Sequence, residues 1–81
     1  MSHRNPLAQV AAGALRAEMS RQKKTSNDLA FTLNISQSSA SRRMTGEVSL
    51  DLDDLDTISQ WLNVPLGVLL TEPPVIEKSS A

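Results

Sequence analysis

The chain has no cysteine and no tyrosine, and only one tryptophan, one phenylalanine and one histidine. Without cysteine there is no disulfide to staple the fold and no thiolate to ligate a metal or attack a substrate. The lone histidine, His3, stands near a terminus, where order is ordinarily poor, and reads as a bystander. There is no nucleophile beside a base and no glycine-rich phosphate loop. The expectation is therefore a protein that is no enzyme and takes no cofactor, metal or small-molecule substrate. No apolar run approaches the roughly 18 residues needed to span a bilayer, and the N-terminal stretch lacks the apolar core and cleavage pattern of a secretory signal. A cytoplasmic protein without a membrane role is expected.

What is present is a single-domain quantity of helix-forming sequence. A chain of 81 residues has room for one compact domain, which at such a size buries roughly 60 to 65% of its unfolded surface and leaves little space for a deep cleft. Apolar residues make up 40% of the chain and aromatics 2%. The apolar set is mostly Leu, Ala and Val at helical rather than alternating spacing, which predicts an all-α fold.

The net charge of −1 hides an asymmetry. Arg16, Arg21, Lys23, Lys24, Arg42 and Arg43 face only Glu18 and Asp28 between Ala14 and Gly46, whereas seven acids face only Lys78 from Glu47 onward. The overall balance speaks against a polyanionic partner, because phosphate binding needs Lys and Arg to displace counterions. The first half of the chain nevertheless carries the charge for one.

Five helices are predicted. Asn5-Pro6 suits a cap and first helical position, and Leu7, Val10, Ala11, Ala14, Leu15 and Met19 form a stripe for a first helix of about 18 residues that ends in Arg21-Gln22-Lys23-Lys24. Thr25 with Asp28 three residues on is a capping-box pattern opening a two-turn helix with Leu29, Ala30 and Leu33 inward. Asn34 enters the left-handed region cheaply and can reverse the chain. Ser36 caps a third helix, with Ile35 and Ala40 placed for a hydrophobic staple, and this helix runs through Met44 and stops at Gly46. A loop leads to Asp51, the expected cap of a fourth helix with Leu52, Leu55, Ile58 and Leu62 on one face and Asn63 at its end. Pro65 opens a short fifth helix containing Leu66, Leu69 and Leu70. Residues 1–70 are expected to form the domain and 71–81, with Pro73-Pro74, an irregular tail.

The segment from Thr25 to Gly46 carries the functional argument: two short helices joined by a turn, the second opening on Ser36, Gln37, Ser38 and Ser39. In a helix-turn-helix the second helix places its N-terminal turn in the major groove, where Gln can bond adenine at two positions and Ser can donate or accept. Gln37 and Ser38 are the expected base-reading pair. Arg42 lies some 140° round the helix from Gln37, on a flank suited to phosphate or to a base at the edge of a site. Lys23, Lys24 and Arg43 flank the two helices as phosphate contacts, with Ser39 a further backbone-contact position.

From Leu15 to Leu70 the sequence resembles the lambda-repressor-like family of phage repressors and related bacterial regulators. The matching residues are Thr25, Leu29-Ala30, Leu33, Ile35-Ser36-Gln37-Ser38, Ser41-Arg42, Gly46, Leu62-Asn63-Val64 and Leu69-Leu70. The resemblance implies a compact five-helix domain that acts as a transcriptional regulator, a repressor on double-stranded operator DNA. It implies Gln37, Ser38 and Arg42 at the bases, Ser26 on a phosphate, and a homodimer. Leu66, Val68 and Leu69 are the expected dimer contacts, because one short helix cannot turn all of its apolar residues inward; Val75 and Ile76 can extend that contact.

The sequence departs from the family at Met19 and Met44, where many members carry a partly buried Arg–Glu pair; at Arg43, in a usually apolar slot; and in the acidic loop after Gly46. An apolar pair in place of a buried ion pair is compatible with the fold. Trp61 reads as core or core edge, with an interface as the alternative. The run Asp51, Asp53, Asp54 and Asp56 reads as helix N-terminus stabilisation, with a metal or partner site as the alternative. The rival function, favoured by the acidic second half, is a protein-interaction module of the same fold, such as an antitoxin or anti-regulator.

Overall fold

The computed structural model describes residues 6–71. His3, Asn5, Pro73-Pro74, Val75 and Ile76 lie outside the described residues. The described chain is all-helical, with five helices in the order α1 (Pro6–Arg21), α2 (Ser26–Leu33), α3 (Gln37–Thr45), α4 (Leu52–Leu62) and α5 (Leu66–Leu69).

Each boundary has a local cause. Thr25 Oγ1 accepts the Asp28 amide while the Asp28 carboxylate accepts the Thr25 amide at 2.8 Å, closing a capping box at the start of α2. Asp51 and Asp54 close the same reciprocal box on α4. Ser36 accepts from the Ser39 amide to open α3. Asn34 (φ 57°, ψ 49°) and Asn63 (φ 57°, ψ 45°) end α2 and α4 in the left-handed region, and Gly46 (φ 84°) follows α3. A Cβ at position 46 would meet the movable end of the Gln9 side chain, so it is the left-handed conformation that calls for glycine there. One stop was not expected: Lys23 also has positive φ, at 61°. Its amide bonds to Ser20 O and the Lys24 amide to Met19 O, the two-bond arrangement that satisfies the last carbonyls of a helix.

Leu15, Met19, Leu29, Ile58, Leu62 and Leu69 are the largest fully buried side chains, and Ala11, Ala14, Ala30, Ala40 and Leu55 join them in one core. α1 packs on α3 and α5, α2 on α3 and α4, and α4 on α5. Small residues along α1 and at position 40 let these helices approach closely, and no polar or charged side chain among the described residues is buried. Met19 lies in the core and Met44 packs against it from α3. Ile35, Leu33, Val64 and Trp61 also pack on its margin.

Three apolar expectations are corrected. Leu52, placed by periodicity on the inner face of α4, is 80% exposed, and Leu7 on α1 is 52% exposed. Both stand in the first turns of helices whose opening residues run past the end of the core. Leu69, expected at a dimer surface, is fully buried. A four-residue helix has one inward position per turn, and Leu69 occupies it, leaving Leu66, Val68 and Leu70 exposed.

Candidate functional site

α3 is held by its two ends. At its N-terminus Ser36 caps the helix; at its C-terminus two side chains of α1 reach the last carbonyls, Gln9 Nε2 to Gly46 O at 3.3 Å and the Arg16 guanidinium to Met44 O. A cation there also opposes the negative end of the helix dipole. Between these anchors only Ala40 is buried, so the helix touches the core through one methyl group and its margin.

Apart from Ala40 and the half-buried Ser39, Arg43 and Met44, α3 faces outward. Gln37, Ser38, Ser41 and Arg42 are exposed and Ser39 is half-buried. The Gln37 side chain is oriented from α2: its Nε2 donates to Ser26 Oγ at 3.1 Å. That bond uses one amide proton, and the second proton and the carbonyl oxygen remain for a pair of bonds to one partner. Ser26 Oγ accepts from Gln37 and keeps its own proton to donate. The structure thus brings the expected base-reading Gln37 together with the expected phosphate-binding Ser26.

The flanking cations are arranged differently from one another. Lys23 is exposed on its left-handed turn. Lys24 Nζ lies 5.2 Å from the centre of the Trp61 ring, a cation–π distance, which ties the end of α1 to α4. Arg43, expected on a phosphate, has Nε 3.4 Å from Asp54 Oδ2 and donates through a terminal nitrogen to Ser39 O at 3.2 Å. Asp54 thus serves both the α4 capping box and the pairing with α3, so the acidic run does stabilise a helix start and also holds the basic helix. Among the described residues no cluster of His, Asp or Glu can hold a metal ion.

The shifted titrations are structural and lie at the surface. Hydrogen bonds from the Thr25 amide and hydroxyl, with Lys24 nearby, hold the Asp28 carboxyl below its usual range. Arg21 does the same for Glu18, helped by Gln22, and is itself raised. Gln22 also donates to Leu62 O at 2.8 Å, linking α1 to the end of α4.

Phe31, the one phenylalanine of the chain and not among the expected site residues, is 88% exposed on α2. The signal was available: with Leu29, Ala30 and Leu33 defining the inner stripe, residue 31 falls about 150° from its centre. Arg16 and Gln9 gave no such signal, since their acceptors are backbone carbonyls distant in sequence.

A capped helix, a left-handed turn at Asn34 and a second capped helix with an open polar face make α2–α3 a helix-turn-helix unit, set in a five-helix domain. By sequence the chain belongs to the BetR domain family, whose model matches residues 7–77. Among solved structures it is similar to the clp gene regulator ClgR from C. glutamicum, with 20% identity and a TM-score of 0.72 over 79% of this chain and 83% of that one. That likeness establishes the shared fold. Against the curated proteins the chain has no match. No helix among the described residues is long and apolar enough to cross a membrane.

Proposed function

We propose that the chain is a sequence-specific regulator of transcription that binds double-stranded DNA in the cytoplasm, with α3 in the major groove, and that it works by binding rather than by catalysis. The observation that carries this reading is α3 itself: it is fixed at both ends yet buries only Ala40, and its first turn presents Gln37 and Ser38. A helix used only for packing has no need of so open a face. The oriented Gln37 amide has the free donor and acceptor that adenine N7 and N6 require. Arg42 flanks the site, and Ser26, Lys23 and Ser39 provide backbone contacts. Lys24 and Arg43 reach phosphate by leaving Trp61 and Asp54. That the structurally similar ClgR is a gene regulator supports the reading. The lambda-repressor-like resemblance favours a repressor of the phage or bacterial kind.

One recognition helix reads few base pairs, so a homodimer on DNA belongs to the same proposal. Leu66 and Val68, at 42% and 37% exposure, are its contacts, with Leu69 removed from that set by burial. Selection from a random duplex pool tests the whole reading. The expected outcome is an enriched inverted repeat with half-site centres about 34 Å apart, bound by two copies with steep salt dependence. A pool that stays random would overturn it; a single copy on an asymmetric site would remove the dimer. The second reading, a protein-interaction module, draws on the acids of residues 47–56.

A further inference from the structure

Ala8 and Ala11 of α1, Leu50 before α4, Leu52 and Leu55 on it, and Leu70 after α5 line a groove of about 200 Å³. It lies on elements other than α2 and α3. The volume is below the roughly 300 to 1,000 Å³ of small-molecule sites, and the walls are mostly aliphatic, with Ser49 the polar exception, so the groove is a seat for side chains. Leu52, 80% exposed, and Leu70, 37% exposed, stand at its edges.

Charge decides what kind of chain fits. Between residues 47 and 71 there are five acids (Glu47, Asp51, Asp53, Asp54 and Asp56) and no Lys or Arg. Leu52 projects between exposed Asp51 and Asp53, and Asp56 lies one turn further along the same face of α4. DNA is repelled from such a surface. A second copy docking two-fold through the same face would bring the same acids against these, which costs free energy when like charges meet across an interface. The chain's own residues 72–81 contain the apolar pair Val75-Ile76 but carry Glu72 and Glu77 against one Lys78, again the wrong sign.

We infer that this groove is a docking site for a partner protein segment that is amphipathic and basic, seating aliphatic side chains against Leu52 and Leu70 and setting Lys or Arg against Asp53 and Asp56. The inference does not depend on DNA binding and is tested without DNA. Two peptides of about 14 residues, long enough to form a helix on binding, carry leucine at spacings of three and four, one with lysine elsewhere and one with glutamate. Each is titrated into the isotope-labelled full-length chain while backbone amide shifts are followed.

The expected result is saturable shifts at Ala8, Ala11, Leu52 and Leu55 with the lysine peptide and none with the glutamate peptide. Leu52→Ser should weaken binding by about tenfold, as the loss of one large buried aliphatic side chain implies. The double change Asp53→Asn with Asp56→Asn should weaken it too. Leu52 is exposed, so unchanged shifts elsewhere report that the variant is folded. Absence of shifts, an equal response to both peptides, or undiminished binding by Leu52→Ser overturns the proposal. Two further outcomes assign the groove to another occupant and also overturn it. In one, groove amides move on simple dilution of the chain; in the other, they move when Val75→Ser and Ile76→Ser are introduced without peptide.

Discussion

α2 and α4 are built on the same local grammar, and the helices that follow them meet the core in different ways. Each opens on a reciprocal capping box, Thr25 with Asp28 and Asp51 with Asp54, and each stops at a left-handed Asn followed by a β-branched residue. The closing hydrogen bonds match: Asn34 to Phe31 O and Ile35 to Ala30 O in one, Asn63 to Gln60 O and Val64 to Ser59 O in the other. After the first turn, Ser36 caps nine residues, QSSASRRMT, that bury only Ala40. After the second, Pro65 opens four residues, LGVL, whose Leu69 is fully buried. The turn sets where the next helix points. The residues after it decide whether that helix is anchored to the core by one methyl group or by one large side chain.

The largest effect that would sharpen this contrast comes from exchanging the two anchors. Leu69→Ala should lower the stability of the domain by about 2 to 5 kcal/mol, because it removes the one large side chain by which α5 reaches the core. Ala40→Leu should cost about 1 to 3 kcal/mol by overpacking the close approach of α3. Both are read from denaturant unfolding. If Leu69→Ala is tolerated without loss, α5 is not a core element and the contrast fails.

The turns themselves come next. Lys23, Asn34 and Asn63 share one backbone conformation, but Lys carries a steric penalty there that Asn reduces and Gly avoids. Lys23→Gly should therefore raise stability by a few tenths to about 1 kcal/mol, while Asn34→Ala and Asn63→Ala should each lower it by about 1 kcal/mol. Thermal unfolding of the three variants checks the set. Equal effects of the two Asn changes would support a shared grammar, and a loss on Lys23→Gly would contradict the assigned turn.

The smallest effect concerns pH. Hydrogen bonds from Thr25 depress the Asp28 carboxyl below its ordinary 3.8, so its contribution is complete above that value and disappears as pH falls through the lowered folded value. Asp28→Asn should flatten the acid side of a melting-temperature profile in that window and leave the remainder that Glu18 supplies through Arg21. An unchanged acid limb would show that the α2 box is not formed in solution.

Much of this was legible in the sequence for a physical reason: caps and stops act within four or five residues. Thr25, Asp28, Asn34, Ser36, Gly46, Asp51 and Asn63 could each be read where they stand. Lys23 could not, since nothing in a lysine marks a left-handed residue. Periodicity placed Leu7 and Leu52 on inner faces, yet both are exposed, because where a core ends along a helix depends on which neighbours reach it. The same limit hid the inward turn of Leu69. At the site, the open face of α3 followed from its composition. The partners of its side chains did not: Gln37 with Ser26, Arg43 with Asp54 and Arg16 with the Met44 carbonyl all join different helices.

The central claim is that the first turn of α3 reads bases, and Gln37→Ala tests it most directly. Affinities of the parent and variant chains are measured by fluorescence anisotropy on the selected duplex and on a random duplex at one salt concentration. The expected loss is about 1 to 3 kcal/mol, roughly 5- to 150-fold, on the selected duplex and almost none on the random one. An equal loss on both, or no loss on either, would contradict the claim.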